Sequence, residues 1–129
     1  MNINGNNMFK KTAVVMAIAA SLAGCKTKMP EPDRMFVSFE YNQSLGSFSG
    51  LKRAVLAREQ AVSKMARDEA LRDEMSALAE YGSANDQLAT SLKDAEKKGY
   101  DVDELVSKDN EMQKEVEKIE TEIDHHFFG

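Results

Sequence analysis

An all-α fold is the class that this sequence predicts: an antiparallel coiled-coil helical hairpin with helices at about 51–98 and 102–125. Residues 51–81 contain no Gly or Pro and are rich in Ala, Leu, Arg, Lys, Glu and Met, which are strong helix formers. Two runs of mostly apolar residues recur at alternating spacings of three and four, which is typical of a coiled-coil seam. Between the two runs, Lys97-Lys98-Gly99 places basic residues in a last helical turn and a glycine after it, a combination that ends helices.

Each predicted helix carries one seam. The apolar members in the first helix are Leu71, Leu78, Tyr81, Leu88, Leu92 and Ala95. Those in the second helix are Leu105, Met112, Val116, Ile119 and Ile123. The polar members of the two seams are Glu74, Asn85 and Asp109. A tight turn at 99–101 makes the helices antiparallel, and the register that follows places Asn85 near Val116.

The first seam runs in phase through Gly82, which favours one continuous helix with a tolerated glycine. A break near Gly82 is the alternative, and it would give a three-helix bundle. The apolar residues of 51–66 point away from the seam, and a change of face within one helix implies a change of partner. That partner is residues 35–50 of the same chain, a second copy, or a different protein. The candidate partner face consists of Leu51, Val55, Val62 and Met65, with Phe127 and Phe128 at the end of the chain.

The segment before the helices divides into two parts. Residues 35–50 alternate weakly between apolar and polar side chains, so we expect an extended apolar and aromatic strip lying on a helix. Residues 26–34 contain Pro30 and Pro32 among charged residues, which predicts a flexible tether. The expected organisation is a leader at 1–24, an anchor and tether at 25–34, the strip at 35–50 and a helical hairpin domain at 51–129.

The amino-terminal residues have the pattern of a secretion signal. Lys10 and Lys11 precede the uncharged residues 12–23, which are too few to span a bilayer, because a spanning helix needs about 20 apolar residues. Leu22, Ala23, Gly24 and Cys25 follow, and together they resemble the lipobox of bacterial lipoproteins. The resemblance implies transfer of diacylglycerol to the Cys25 sulfur and cleavage after Gly24. It also implies, in many members, an N-acyl chain such as palmitate on the new amino terminus.

The resemblance further implies an address in the cell envelope. In proteobacterial lipoproteins, Asp directly after the acylated cysteine favours retention in the inner membrane, and Lys26 stands in that place here. The implied location in a Gram-negative host is the outer membrane, with the lipid anchor holding the protein on the periplasmic side. We expect Met8 rather than Met1 to be the initiator, because the residues from Met8 onward form an ordinary signal peptide.

Charge and motifs argue against several functions. The formal net charge is −5, and loss of Lys10 and Lys11 with the leader lowers it to −7, which argues against nucleic-acid binding. No G-x-S-x-G, H-E-x-x-H, P-loop or dinucleotide motif occurs, and an acylated Cys25 leaves no thiol, so we expect no enzyme. His125 and His126 are adjacent and point about 100° apart on a helix, so we expect no metal site. No cofactor other than the acyl chains and no small-molecule substrate is expected.

These observations predict a membrane-anchored, non-enzymatic envelope lipoprotein that acts as an α-helical protein–protein interaction module. It would serve as an accessory subunit, a scaffold or an inhibitor of an envelope partner. A self-associating structural lipoprotein is the alternative. A carrier of a small ligand or lipid is a third interpretation, and it would need a cavity lined by residues 35–50.

The lipobox leads to the first testable prediction. Cys25→Ala should abolish acylation and release the chain from membranes, because the sulfur that accepts diacylglycerol is lost. Fractionation and intact-mass measurement of the wild type and the variant check this. The lipobox interpretation is wrong if the variant stays in the membrane fraction with the wild-type modification.

Overall fold

The computed structural model describes residues 26–128, which form three helices. These are α1 (Glu31–Gln60), α2 (Lys64–Lys97) and α3 (Asp103–Phe128). Short connections at 61–63 and 98–102 join them, so the chain runs up, down and up again. The predicted all-α class is confirmed. Helices α1 and α2 pack most closely, α3 follows α2 through the turn at 98–102 and also contacts α1, and side chains of all three helices share the core of a three-helix bundle.

The break in the first predicted helix lies at 61–63, not near Gly82, which is buried in the middle of α2. Ala61 has extended backbone angles, and the Ser63 hydroxyl accepts a hydrogen bond from the Ala66 N–H at 3.1 Å. Ser63 is therefore the N-cap of α2, and it satisfies one of the free N–H groups of the first turn. Composition alone predicted an unbroken helix here because helix propensity is a weak preference that capping and packing override.

Residues 35–50 are helical and belong to α1, so the predicted extended strip is wrong. The buried residues Val37, Ser44, Phe48 and Leu51 follow the spacing of one helix face, which the weak alternation of residues 35–41 obscured. The charged stretch before them is helical as well, and α1 begins at Glu31. Proline is tolerated in a first helical turn, because the missing N–H has no partner within the helix there.

The core consists of two apolar clusters. One contains Phe48, Leu51, Leu71, Tyr81, Met112, Val116, Ile119 and Ile123. The other contains Met29, Val37, Leu88, Leu92, Ala95, Val102 and Val106. Of the predicted seam residues, Leu78 and Leu105 are half-buried, and all the others are buried.

The register of the hairpin differs from the predicted one by about one helical turn. The Asn85 side chain donates to Asp109 Oδ1 and accepts from Gln113 Nε2, whereas the sequence placed Asn85 near Val116. The turn that sets this register contains Gly99, with φ at +81°, a conformation that residues with a Cβ rarely adopt. The Asp101 side chain then accepts from the Asp103 N–H at 3.2 Å, at the start of α3.

A pair of leucine substitutions tests the assignment of core and surface. Leu88 is fully buried, so Leu88→Ala should lower the free energy of unfolding by about 2–5 kcal/mol, through lost burial and an unfilled cavity. Leu56 is half-exposed, so Leu56→Ala should change the free energy of unfolding by about 0.5 kcal/mol or less. Urea unfolding of residues 26–129, followed by circular dichroism, checks both values. Equal losses for the two variants would contradict the packing described.

Candidate functional site

The two ends of the bundle differ in chemistry. We call one end the base, formed by residues 26–31 and 98–103, and the other the tip, formed by residues 56–65 and 122–128. The predicted anchor Cys25 and the cleavage motif Leu22, Ala23 and Gly24 lie outside the described residues. Lys26, which follows Cys25 directly in the sequence, is described and lies at the base.

The segment expected to be a flexible tether is held against the base. The Thr27 N–H donates to the Gly99 carbonyl at 2.9 Å, and the Asp101 N–H donates to the Thr27 carbonyl at 2.8 Å. The Lys26 ammonium pairs with the Asp103 carboxylate, and Met29 is buried in the core. We call these interactions the base contacts. The tether prediction is wrong because it rested on charges and prolines alone. The backbone groups of the turn at 98–102 that hydrogen-bond to Thr27 give no signal in the sequence.

Large apolar side chains are exposed on the outer side of α1, close to the base. Met35, Phe36 and Phe39 are 65%, 59% and 60% exposed. Residues at these spacings share one side of a helix, and that side is opposite to the one through which Val37 and Leu51 enter the core. We call these three residues the base patch. In the sequence analysis these three residues belong to the expected strip and are not among the candidate site residues.

The predicted partner face is divided by the structure. Leu51 is fully buried and Val55 packs against the same core cluster, so neither is available to a partner. The break at 61–63 explains this, because it lets α1 fold back along α2 and cover those residues. Val62 and Met65 remain 95% and 80% exposed at the tip. Phe127 is half-exposed at the same end, where Phe128 is the last residue of α3.

A chain of buried hydrogen bonds crosses the middle of the bundle. The Asn85 amide donates to Ser44 of α1 at 3.3 Å and to Asp109 of α3 at 2.5 Å. Gln113 donates to the Asn85 carbonyl oxygen at 3.0 Å and accepts from the Tyr81 hydroxyl at 3.1 Å. All five side chains are fully buried. The sequence marked Asn85 and Asp109 as polar seam members but gave no signal for Ser44 or Gln113.

Burial changes the acid–base behaviour of this network. It raises the pKa of Asp109 to about 6, and the hydrogen bond from Asn85 offsets only part of that rise. Burial likewise raises the pKa of the Tyr81 hydroxyl, and the nearby carboxylates of Asp109 and Glu120 raise it further. The second carboxylate oxygen of Asp109 has no hydrogen-bond partner, which favours the protonated form of the group. The network therefore rigidifies the core, with one group that titrates in a mildly acidic range.

An ion-pair cluster joins the three helices towards the tip. Arg58 of α1 donates to Glu74 of α2 at 2.5 Å and to Glu122 of α3 at 3.3 Å. Glu74 is fully buried, and its hydrogen bond is the largest cause that raises the pKa of Arg58. Arg58 belongs to the basic residues of 52–67 and Glu122 to the acidic residues of 101–124, so at this point the two oppositely charged segments form an ion pair within one molecule.

Cavities in the described part of the chain are open grooves. One groove, of about 830 Å³, runs between α1 and α2, past small residues such as Gly46, Gly50 and Ala77. Another, at the tip, is lined by Arg58, Thr121, Glu122, His125 and His126. Among residues 26–128, no group of three or more His, Cys, Asp or Glu side chains is placed to hold a metal ion. Within the same range, no helix is both long enough and apolar enough to cross a bilayer.

Comparisons with protein-family models, with curated proteins and with solved structures gave no match to this chain. The geometry of the base, the tip and the buried network is therefore the basis for a functional argument.

Replacement of Asp109 by its isosteric amide tests the buried network. The folded-state pKa of about 6 exceeds the ordinary value of 3.8, so the folded chain binds this proton more tightly than the unfolded chain does. The free energy of unfolding that this proton contributes is fully present below the ordinary pKa of 3.8, and it is lost as the pH rises through the folded-state pKa of about 6. Relative to Asp109→Asn, the wild type should therefore lose about 2 kcal/mol between pH 4 and pH 7. Urea unfolding of both proteins across this range gives the difference, and a difference that does not vary with pH would refute the assignment.

Proposed function

We propose that this chain is a membrane-anchored, non-enzymatic envelope lipoprotein whose helical bundle binds another envelope protein through its tip. The observation that carries the proposal is the separation of the two ends. Lys26, the neighbour of the lipobox cysteine, is fixed at the base, whereas Val62 and Met65 are almost fully exposed at the other end. An anchor at one end of a rigid bundle leaves the other end free to meet a partner.

The chemistry of the tip suits a protein partner. Exposed apolar groups are common as single residues, but Leu56, Val62, Met65 and Phe127 all lie at this end of the bundle. Methionine is flexible and polarisable, and it adapts to irregular partner surfaces. Arg67 adds exposed positive charge beside these residues, and the exposed ammonium of Lys64 pairs with Asp68 at 3.2 Å, so the tip is of mixed charge. An acidic or mixed protein surface with an apolar centre would complement the tip.

A carrier function has less support than a docking function. The groove of about 830 Å³ past Gly46 and Gly50 is wide open to solvent and is lined by polar side chains such as Arg53, Asp73 and Glu80, so it does not enclose a ligand. The more enclosed cavity, which Phe36 lines with Met29 and Tyr100, has a volume of about 170 Å³. Pockets for small ligands usually enclose about 300–1,000 Å³. Self-association stays the alternative proposal, because Met35, Phe36 and Phe39 are also exposed and could be covered by a second copy.

Two methionines on α2 provide a matched test of the tip. A photo-crosslinking amino acid at Met65 should give a discrete adduct with another envelope protein in living cells, because Met65 lies at the proposed contact. The same probe at Met75, which is 44% exposed in the first half of α2, should give little or none. Denaturing electrophoresis and mass spectrometry of the adducts check this.

Further variants separate the interpretations. Met65→Asp should reduce the adduct formed from a neighbouring probe at Val62 by at least about tenfold, because a charge would then have to be desolvated in the contact. Equal adducts from Met65 and Met75 would argue against a tip site. An adduct with twice the mass of the chain would favour self-association.

A further inference from the structure

The outer surface of α1 carries no exposed charge over four turns. Between Met35 and Gly50, the only charged residue is Glu40, and its side chain is turned inward, with 8% of the residue exposed. The chain as a whole is 30% charged, and the equally long stretch 103–118 of α3 holds nine charged residues. A charge-free exposed stretch in such a chain indicates a surface that is covered in the assembled state.

The apolar part of this surface lies next to the base. Helix α1 begins at Glu31, and each residue adds about 1.5 Å along its axis, so Phe39 lies only about 12 Å along the axis. Phe36 lines a small cavity with Met29 and Tyr100, which places its ring level with the last turn of α2. The base patch therefore lies at the same end of the bundle as the predicted anchor.

The base contacts leave almost no free chain between the bundle and the predicted acyl groups. Consecutive Cα atoms are about 3.8 Å apart, so Cys25 must lie within that distance of Lys26. Lys26 is itself paired with Asp103, and Thr27 is hydrogen-bonded to the turn at both its N–H and its carbonyl. Acyl chains on Cys25 would thus bring the base directly onto the lipid headgroups, with no spacer to hold it away.

We propose that Met35, Phe36 and Phe39 insert into the interfacial region of the bilayer that holds the anchor, so that the bundle leans with α1 towards the membrane. This inference rests on the acylation of Cys25 in the proposed function. Phenylalanine and methionine side chains bury favourably at the boundary between headgroups and acyl chains, and one lipid anchor is stabilised by a second membrane contact.

The charge distribution favours a lipid surface on this side of the bundle. Over residues 103–128, α3 has a net charge of −6, whereas over residues 31–60 the charges of α1 balance. The base patch lies on the side of α1 that is turned away from the core, with α3 on the other side of that core. Anionic headgroups would repel α3, whereas the exposed Arg53 lies on the same side of α1 as Met35 and would attract them.

Single tryptophans test the proposal cleanly, because the chain contains none. The probe variants are Phe39→Trp in the base patch and Met65→Trp at the tip, each in the full-length gene product isolated from membranes and reconstituted in vesicles of phosphatidylethanolamine and phosphatidylglycerol. We expect the emission of the Phe39→Trp variant to shift to shorter wavelength and to be quenched by lipids brominated near the headgroup end of the acyl chain. The emission of the Met65→Trp variant should show neither change. Both sites are largely exposed, and circular dichroism verifies that the variants keep the helical content of the wild type.

Each other result overturns the proposal in an identifiable way. If Cys25 carries acyl chains by mass and Phe39→Trp still emits as in water, the bundle stands upright and only this inference fails; the uncharged surface would then belong to a protein partner. If the emission shifts without lipid and in proportion to protein concentration, a second copy covers the patch. If the isolated chain has no acyl chains, the proposed anchoring and this inference fail together. Phe36→Trp serves as the second probe if Phe39→Trp does not fold.

Discussion

The arrangement of the three helices depends on the side chain of Asn85. It bonds to both other helices, through Ser44 of α1 and through Asp109 and Gln113 of α3, and Tyr81 beside it also joins Ser44 to Gln113. Apolar seams can slide past each other by a turn at modest loss, because leucine and isoleucine at neighbouring positions fill similar space. A buried amide has no such freedom, since an unmade hydrogen bond in the core costs about 1–3 kcal/mol. A polar residue at a seam position therefore fixes the register, as it does in coiled coils.

The same constraint explains how much of the fold could be predicted. The seams could be predicted because apolar residues such as Leu88 and Val116 recur at a helical period over many turns, and these residues are buried. The register could not be predicted, because it depends on which side chains of α3 bond to Asn85, and Gln113 looks like an ordinary surface residue in the sequence. The break at 61–63 was missed for a related reason. Ser63 is an N-cap only once α2 has a partner to pack on, and propensity sums give no sign of that partner.

Prediction of the candidate site failed where one segment was assigned the wrong structure. With 51–98 predicted as one helix, the face of Leu51 and Val55 points away from the seam, and its partner stays open among residues 35–50, a second copy and another protein. In the bundle Leu51 and Val55 lie in the core, and the exposed apolar residues are Met35, Phe36 and Phe39 instead. One available signal was the near absence of charge between Met35 and Gly50, which a search for periodicity alone does not use. Val62 and Met65, the other two residues predicted on that face of the helix, lie within and just after the break at 61–63 and are exposed.

The contact of Lys26 with Asp103 has a consequence for the order of events during biogenesis. If Cys25 is acylated and the chain is cut before it as proposed, the enzymes involved need access to the residues on both sides of the cysteine, and sorting by the residue after it needs access to Lys26. In the folded bundle, Lys26 is largely covered, and residues 26–29 lie against the turn that joins α2 to α3. Processing and sorting would therefore have to act before this segment docks, or on a bundle whose base has opened. Asp103 belongs to α3, the last helix to be synthesised, so Lys26 stays accessible until α3 has been made and has folded.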